Sequence, residues 1–366
     1  MFEKVFDIIT FGSATQDLIL KPKHVTALHY EKSQTQKEVC FPMGSKVDIE
    51  DMLFNSGGGG TNTAATFALQ GFKTAFCGTV GQDVSGQEII NELKKLGIDT
   101  SLVQKTDKKR TNHSVVILNG STSLTAGSVP DRTIMAYRGA AEVMEDMPFK
   151  KLKTKWLYLA PLSGLLCDSF EALVNFAALN KIKLAVNPGM AQLALPNFSE
   201  IAKKIDVLIM NQEEASFLTK IAFEQENEIF KKIVGMLALN RVEGCPGILV
   251  MTKGGAGVTV SAASPKAGES PRANLADGGP RPDGRDGKAI YSAVPPITRK
   301  IVDTTGAGDA FGSGFVAEYI RSGNIEAAVQ LGMANSIGCI SQVGAKSGLL
   351  KKGEAFEKVE VIKNII

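Results

Sequence analysis

Asp303, Thr304, Thr305, Gly306, Ala307, Gly308 and Asp309 stand together in the run VDTTGAGDAF. Small residues at the start of a helix leave backbone N–H groups uncovered, and such amides attract anions. The amides of Gly306, Ala307 and Gly308 therefore suit a phosphate, yet a carboxylate follows at once in Asp309. The two fit together when the phosphate is in transit. The amides then offset the charge of a moving phosphoryl group while Asp309, as base, takes the proton of the hydroxyl that receives it. Read alone, the same residues are a glycine turn capped by an aspartate.

Other phosphate-handling solutions are missing. The sequence contains no G-x-x-x-x-G-K-S/T loop, no H-R-D and no D-F-G, so neither the P-loop nor the protein-kinase arrangement applies. Neither GGGGTN nor GAGDAF completes the G-x-G-x-x-G of a dinucleotide-dependent oxidoreductase.

The elements that must position this turn are legible as short apolar runs. FDIITFG, TAFCGTVG, KWLYLAPL, IKLAVNPG, DVLIMNQEE and GILVMTKGG each read as a buried strand, and RKIV reads as a strand entering the glycine turn. Between strands, Ile89, Ile90, Leu93 and Leu96 share one face of a helix that Gly97 ends. This alternation implies an α/β fold with a mostly parallel sheet covered on both faces and its ligands beyond the carboxyl ends of the strands.

Two segments break the pattern, residues 37–54 and 114–139, which read as antiparallel strands of a small lid. Residues 264–286 are rich in Pro, Gly and charge and read as a disordered surface loop. The whole chain, 1–366, reads as one domain.

Composition sets the outer bounds. Of 366 residues, 44% are apolar and 22% charged, and 41 basic against 38 acidic residues leave a net charge of +3. That describes a globular protein and gives no sign of a nucleic-acid or membrane partner. The 5 cysteines form no C-x-x-C pair and the 3 histidines no ligand spacing with them, so a reduced, cytoplasmic setting is expected.

DTTGAGDAF closely resembles the C-terminal signature of the ribokinase-like (PfkB) carbohydrate kinases. Asn55 to Gly97, beginning NSGGGGTNTAATFALQG, is similar to a second signature of that family. The similarity covers the whole chain in the family's order except residues 264–286. It implies a ribokinase-like fold and a kinase that uses ATP and Mg2+ to phosphorylate an alcohol of a small sugar, with Asp309 as base.

The resemblance also assigns residues. Asp17, Gly57, Gly58 and Asn62 match the sugar contacts, although Gly59 stands where ribokinases proper carry a lysine, which counts against ribose. Asn211 and Glu214 match a motif that holds Mg2+ and phosphates through ordered water; taken alone they are a helix cap and its first turn. Thr252, Gly254 and Gly257 match the nucleotide turn, which is equally good hairpin punctuation. Asn335 matches a position beside the adenine, and Asp303 and Thr305 match a K+ site. Arg138 matches an arginine that meets the substrate in sugar-acid kinases, or else pairs with Glu142 or Asp146. Alternatives within reach of these motifs are a nucleoside kinase, a sugar-acid kinase and a catalytically silent sugar-binding regulator. The expected partners are the small-molecule substrate and a second copy of the chain joined through the lid.

Overall fold

The computed structural model of the chain describes residues 4–23, 26–29, 37–118, 132–144, 147–162, 164–238, 247–262, 289–296 and 301–365. The expected loop at 264–286 lies outside the described residues.

A 10-stranded sheet forms the body. Seven strands run parallel, in the spatial order Ile248–Thr252, Val207–Asn211, Lys183–Val186, Thr154–Leu159, Phe6–Phe11, Thr74–Gly81 and Val103–Thr106. Three antiparallel strands, Val258–Ala262, Ala289–Ala293 and Val361–Ile365, extend the edge beyond Ile248–Thr252. All six apolar runs read from the sequence are strands of the parallel part.

Alternation along each strand feeds two cores. Ile8, Val207 and Ile209 face helices Ala307–Ser322 and Ile325–Ile340, meeting Phe311, Phe315 and Val329. Ile9, Phe11, Leu208 and Met210 face the opposite layer, meeting Phe170, Phe198 and Ile233. Strands buried on both faces must be apolar at every position, which is why they read as unbroken runs.

Helix Val84–Lys95 begins with Asp83, whose carboxylate accepts from Gly86 N at 2.8 Å, and ends before Gly97 at φ 76°. The strand expected at RKIV does not extend into its described part. Ile301 to Thr304 carry no regular structure, and Val302 N donates instead to Ile340 O at 2.8 Å. The end of a helix supplies the partner that a neighbouring strand would have given.

A separate sheet of four strands stands beside the body, ordered Ile49–Gly57, Thr15–Pro22, Asn112–Leu118 and Arg132–Tyr137. Its central pair is parallel and its outer pairs antiparallel. The segments read as lid strands contribute three of these. Thr15–Pro22, which follows the first core strand after only Gly12 to Ala14, was not expected in it. A smaller pair, Thr26–His29 and Lys37–Cys40, completes the β-structure among the described residues.

Candidate active site

Two helix N-termini meet where the small sheet joins the large one. Helix Gly59–Leu69 starts after Gly58, and helix Ala307–Ser322 starts after Gly306, which adopts φ 78°. That left-handed conformation suits glycine. The space argues the same way, because a Cβ on Gly306 would stand 2.5 Å from that of Ala345. The first intrahelical bond of the second helix runs from Ala310 N to Gly306 O, at 2.8 Å. Amides of the preceding residues have no acceptor within the helix, as at any helix start.

Asp309 sits in that first turn but does not cap its own helix. Its Oδ2 accepts instead from Asn62 Nδ2 at 2.8 Å. Burial raises the Asp309 pKa above the usual aspartate value, with Asn62 and the Lys346 ammonium opposing the rise. Asn62 Oδ1 is buried with no hydrogen-bond partner. The amide therefore holds the carboxylate with its donor side and leaves its own acceptor unused.

Asp17 belongs to the small sheet, paired with Asn55 in the strand that leads into the glycine turn. Any side chain at Gly57 would collide with the Asp17 carboxylate, so glycine is required for the two strands to bring that group onto the turn. Ser114 Oγ donates to Asp17 Oδ1 from the next strand. Burial raises the Asp17 pKa, while Ser114 and Lys346 oppose that rise.

A cavity of about 390 Å³ opens above, lined by Asp17, Asn112, His113, Ser114, Tyr137 and Arg138 among others. Arg138 is exposed at the end of Arg132–Tyr137. Glu142, one of its expected partners, is taken by Lys109 at 2.6 Å, and Asp146 lies outside the described residues.

Across the sheet, Asn211 and Thr252 end neighbouring parallel strands and are register partners. Asn211 Oδ1 accepts from Glu214 N and Glu214 Oε2 accepts from Asn211 N, both at 2.8 Å. This reciprocal cap fixes the Glu214 side chain while leaving its Oε1 outside the pair. Burial raises the Glu214 pKa. Gly254 and Gly257 lie in the turn between antiparallel strands, closed by Lys253 N donating to Gly257 O at 2.8 Å.

Asp303 accepts from Thr305 N at 2.9 Å and from Gly344 N at 3.1 Å, and Thr305 Oγ1 is buried without a partner. Among the described residues no group of three or more His, Cys, Asp or Glu side chains is placed to hold a metal ion.

Asn335 does not face a ligand space. It is fully buried, donating to Ala310 O at 2.8 Å and Thr66 Oγ1 at 3.3 Å and accepting from Leu350 N at 2.9 Å. Its neighbours Ala334, Ile337 and Gly338 line a second cavity, of about 910 Å³, together with residues 348–357. The helix expected beside a ligand thus borders this cavity, with Asn335 on its inward side. Ser114, Tyr137 and Lys346 were missed, since each reaches the site only through pairing between distant segments.

The sequence profile of the pfkB family carbohydrate kinases matches residues 8–352. The chain belongs to that family. This pfkB kinase is an ATP-dependent enzyme of the carbohydrate-kinase class. It is 26% identical to a ribokinase of Haemophilus influenzae over 315 residues, 83% of this chain and 87% of that protein. The fold is similar to that of Arabidopsis thaliana ribokinase solved with ribose and ATP, at a TM-score of 0.68 and 20% identity, covering 95% of this chain and 97% of that one. It is also similar to a nucleoside kinase of Methanocaldococcus jannaschii, at a TM-score of 0.66 and 20% identity, covering 94% and 95%. Among its described residues no helix is long and apolar enough to cross a membrane.

Proposed function

We propose that the enzyme transfers the γ-phosphoryl group of ATP to an alcohol of a small sugar in the cytoplasm, with Asp309 as general base. The observation that carries this reading is the bond from Asn62 to Asp309, which sets the acceptor-side turn against the base at one point. An alcohol held by Asp17, Asn62 and the backbone of Gly57 and Gly58 gives its proton to Asp309. The amides of Gly306 and Gly308, and that of Ala307 on leaving its 3.3 Å bond to Thr304 O, would meet the phosphoryl oxygens, where oriented dipoles offset the charge.

Asn211, Glu214, Thr252, Gly254 and Gly257 serve the nucleotide phosphates and ribose from the ends of adjacent strands. Glu214 Oε1, outside the cap, suits a magnesium ion held through water. Magnesium supplies positive charge that neutralises the phosphates in such transfers. The unpartnered Thr305 Oγ1 beside the Asp303 carboxylate suits a potassium ion.

Within the acceptor class, Arg138 favours a sugar acid. It lines the cavity that holds Asp17, and a guanidinium grips a carboxylate through paired hydrogen bonds that a neutral hydroxyl does not require. Two copies pair through the small sheet. Phe54, Leu18, Val115 and Met135 follow one another in register across its four strands, and Phe54 and Met135 are 63% and 53% exposed. Such an apolar row fits a second identical face.

The test is ATP consumption against pentoses, hexoses, nucleosides and sugar acids. Turnover with a sugar or sugar acid supports the reading, a strong preference for nucleosides replaces the acceptor class, and no turnover with any of them removes it.

A further inference from the structure

The chain that follows helix Ile325–Ile340 passes between the two halves of the site. On one side Gly344 N donates to Asp303 at 3.1 Å, and Ala345 packs directly on Gly306. On the other side it meets the end of strand Ile49–Gly57. A Cβ on Gly344 would stand 2.7 Å from Asn55 Nδ2, and Lys346 Nζ donates to Ser56 O at 3.2 Å and to Ser56 Oγ. Ser56 Oγ donates in turn to Glu92, whose Oε1 is 3.6 Å from the Lys346 ammonium.

The Lys346 side chain is only 9% exposed. Withdrawing an ammonium from water is costly, and its contacts to one serine and one half-exposed glutamate are weak compensation for a purely structural tie. Burial lowers the Lys346 pKa, and the carboxylates of Glu92, Asp17 and Asp309 oppose that fall and favour the ammonium. The glycine turn between the last two brings no charge of its own.

We infer that Lys346 is a positioning residue for the proposed phosphoryl transfer. Its ammonium, bonded to Ser56, holds the end of strand Ile49–Gly57 against the loop keyed to Gly306, and so sets the acceptor turn and the base at one separation. This rests on the proposed role of Asp309. Asn62 bonds Asp309, and Tyr158 from strand Thr154–Leu159, Cys339 from helix Ile325–Ile340 and Lys346 interact with its charge. Lys346 is the cation among these four.

The experiment compares full-length wild type with Lys346→Met, Lys346→Arg and Ser56→Ala, using the best acceptor found in the panel. For Lys346→Met, kcat/KM for the acceptor should fall by roughly 50-fold or more with the KM for ATP within about twofold. The acid limb of its pH profile should move to higher pH, because the charge that favours the ionised base is gone. Lys346→Arg should recover part of the rate and the original limb. If Lys346→Met does not fold, Ser56→Ala keeps the ammonium but removes one of its acceptors, and should raise the acceptor KM alone.

A folded Lys346→Met with unchanged constants and an unmoved acid limb overturns the inference. So does a variant, Ser56→Ala included, whose ATP and acceptor constants worsen together, which marks general loosening of the fold. Wild type without turnover on any acceptor overturns the proposed function itself, whereas an active wild type with indifferent variants overturns this inference alone.

Discussion

Asn62 Nδ2 donates to Asp309 Oδ2 across 2.8 Å, joining the first turns of two helices whose residues stand 247 positions apart. Since a carboxylate only accepts, the contact fixes which way the Asn62 amide faces. It also leaves Asn62 Oδ1 buried as an acceptor without a protein donor.

Asp309→Asn should keep the fold and nucleotide binding while turnover falls by roughly 100-fold or more, the scale for loss of a positioned base. Steady-state rates and calorimetric ATP titration measure the two parts. Near-normal turnover would remove Asp309 from the chemistry.

The pH profile of wild type follows from the same residue. Burial raises the Asp309 pKa, and the base must be ionised to accept a proton. Activity is therefore present above the raised pKa and lost as pH falls through it. The acid limb of kcat/KM should lie above the ordinary aspartate value of about 3.9. A rate that stays flat down to that value contradicts the assignment.

Arg138→Ala should raise the acceptor KM at least about tenfold, or ~1.4 kcal/mol of lost binding, and leave the ATP constant unchanged. The effect should be confined to acceptors that carry a carboxylate. Equal affinity for a sugar acid in both proteins returns Arg138 to the rim of the cavity.

Asn335→Ala strips Leu350 N of its acceptor inside the fold, while Ala310 O keeps its helical donor and Ser313 Oγ. Each buried polar group left unpaired costs about 1–3 kcal/mol. Denaturant unfolding should show the loss, with the KM for ATP little altered. A stable variant with a much weaker ATP constant would instead restore Asn335 to the nucleotide.

Phe54→Glu combined with Met135→Glu places charges on the exposed row of the small sheet. Sedimentation should show wild type as a dimer and the variant at half that mass. Identical masses would leave the row without a partner.

The large sheet was legible because its strands are buried on both sides and write themselves as apolar runs. In DTTGAGDAF the small residues marked the helix start that the structure has after Gly306, whereas its kinase reading came from the resemblance of the whole stretch. Thr15–Pro22 was not, since its alternating pattern directly follows a core strand and only pairing with Ile49–Gly57 and Asn112–Leu118 separates the two. Asn335 shows another limit: sequence marks a helix as near a ligand, but the rotation that turns a side chain inward depends on packing against Ala310 and Thr66. Lys346 leaves no signal, because nothing in GAKSG announces a partner 290 residues away.

Asp17, Gly57, Gly58, Asn62 and Arg138 all precede residue 139, whereas Asn211, Glu214, Thr252 and Asp309 all follow residue 207. In the proposed roles the molecule is thus written in two consecutive passages, one for the acceptor and one for the phosphate. A graft of the first passage from a relative would carry a new taste for substrate onto an unchanged engine, provided that it also supplied the two stitches across the seam, Asn62 to Asp309 and Ser56 to Lys346.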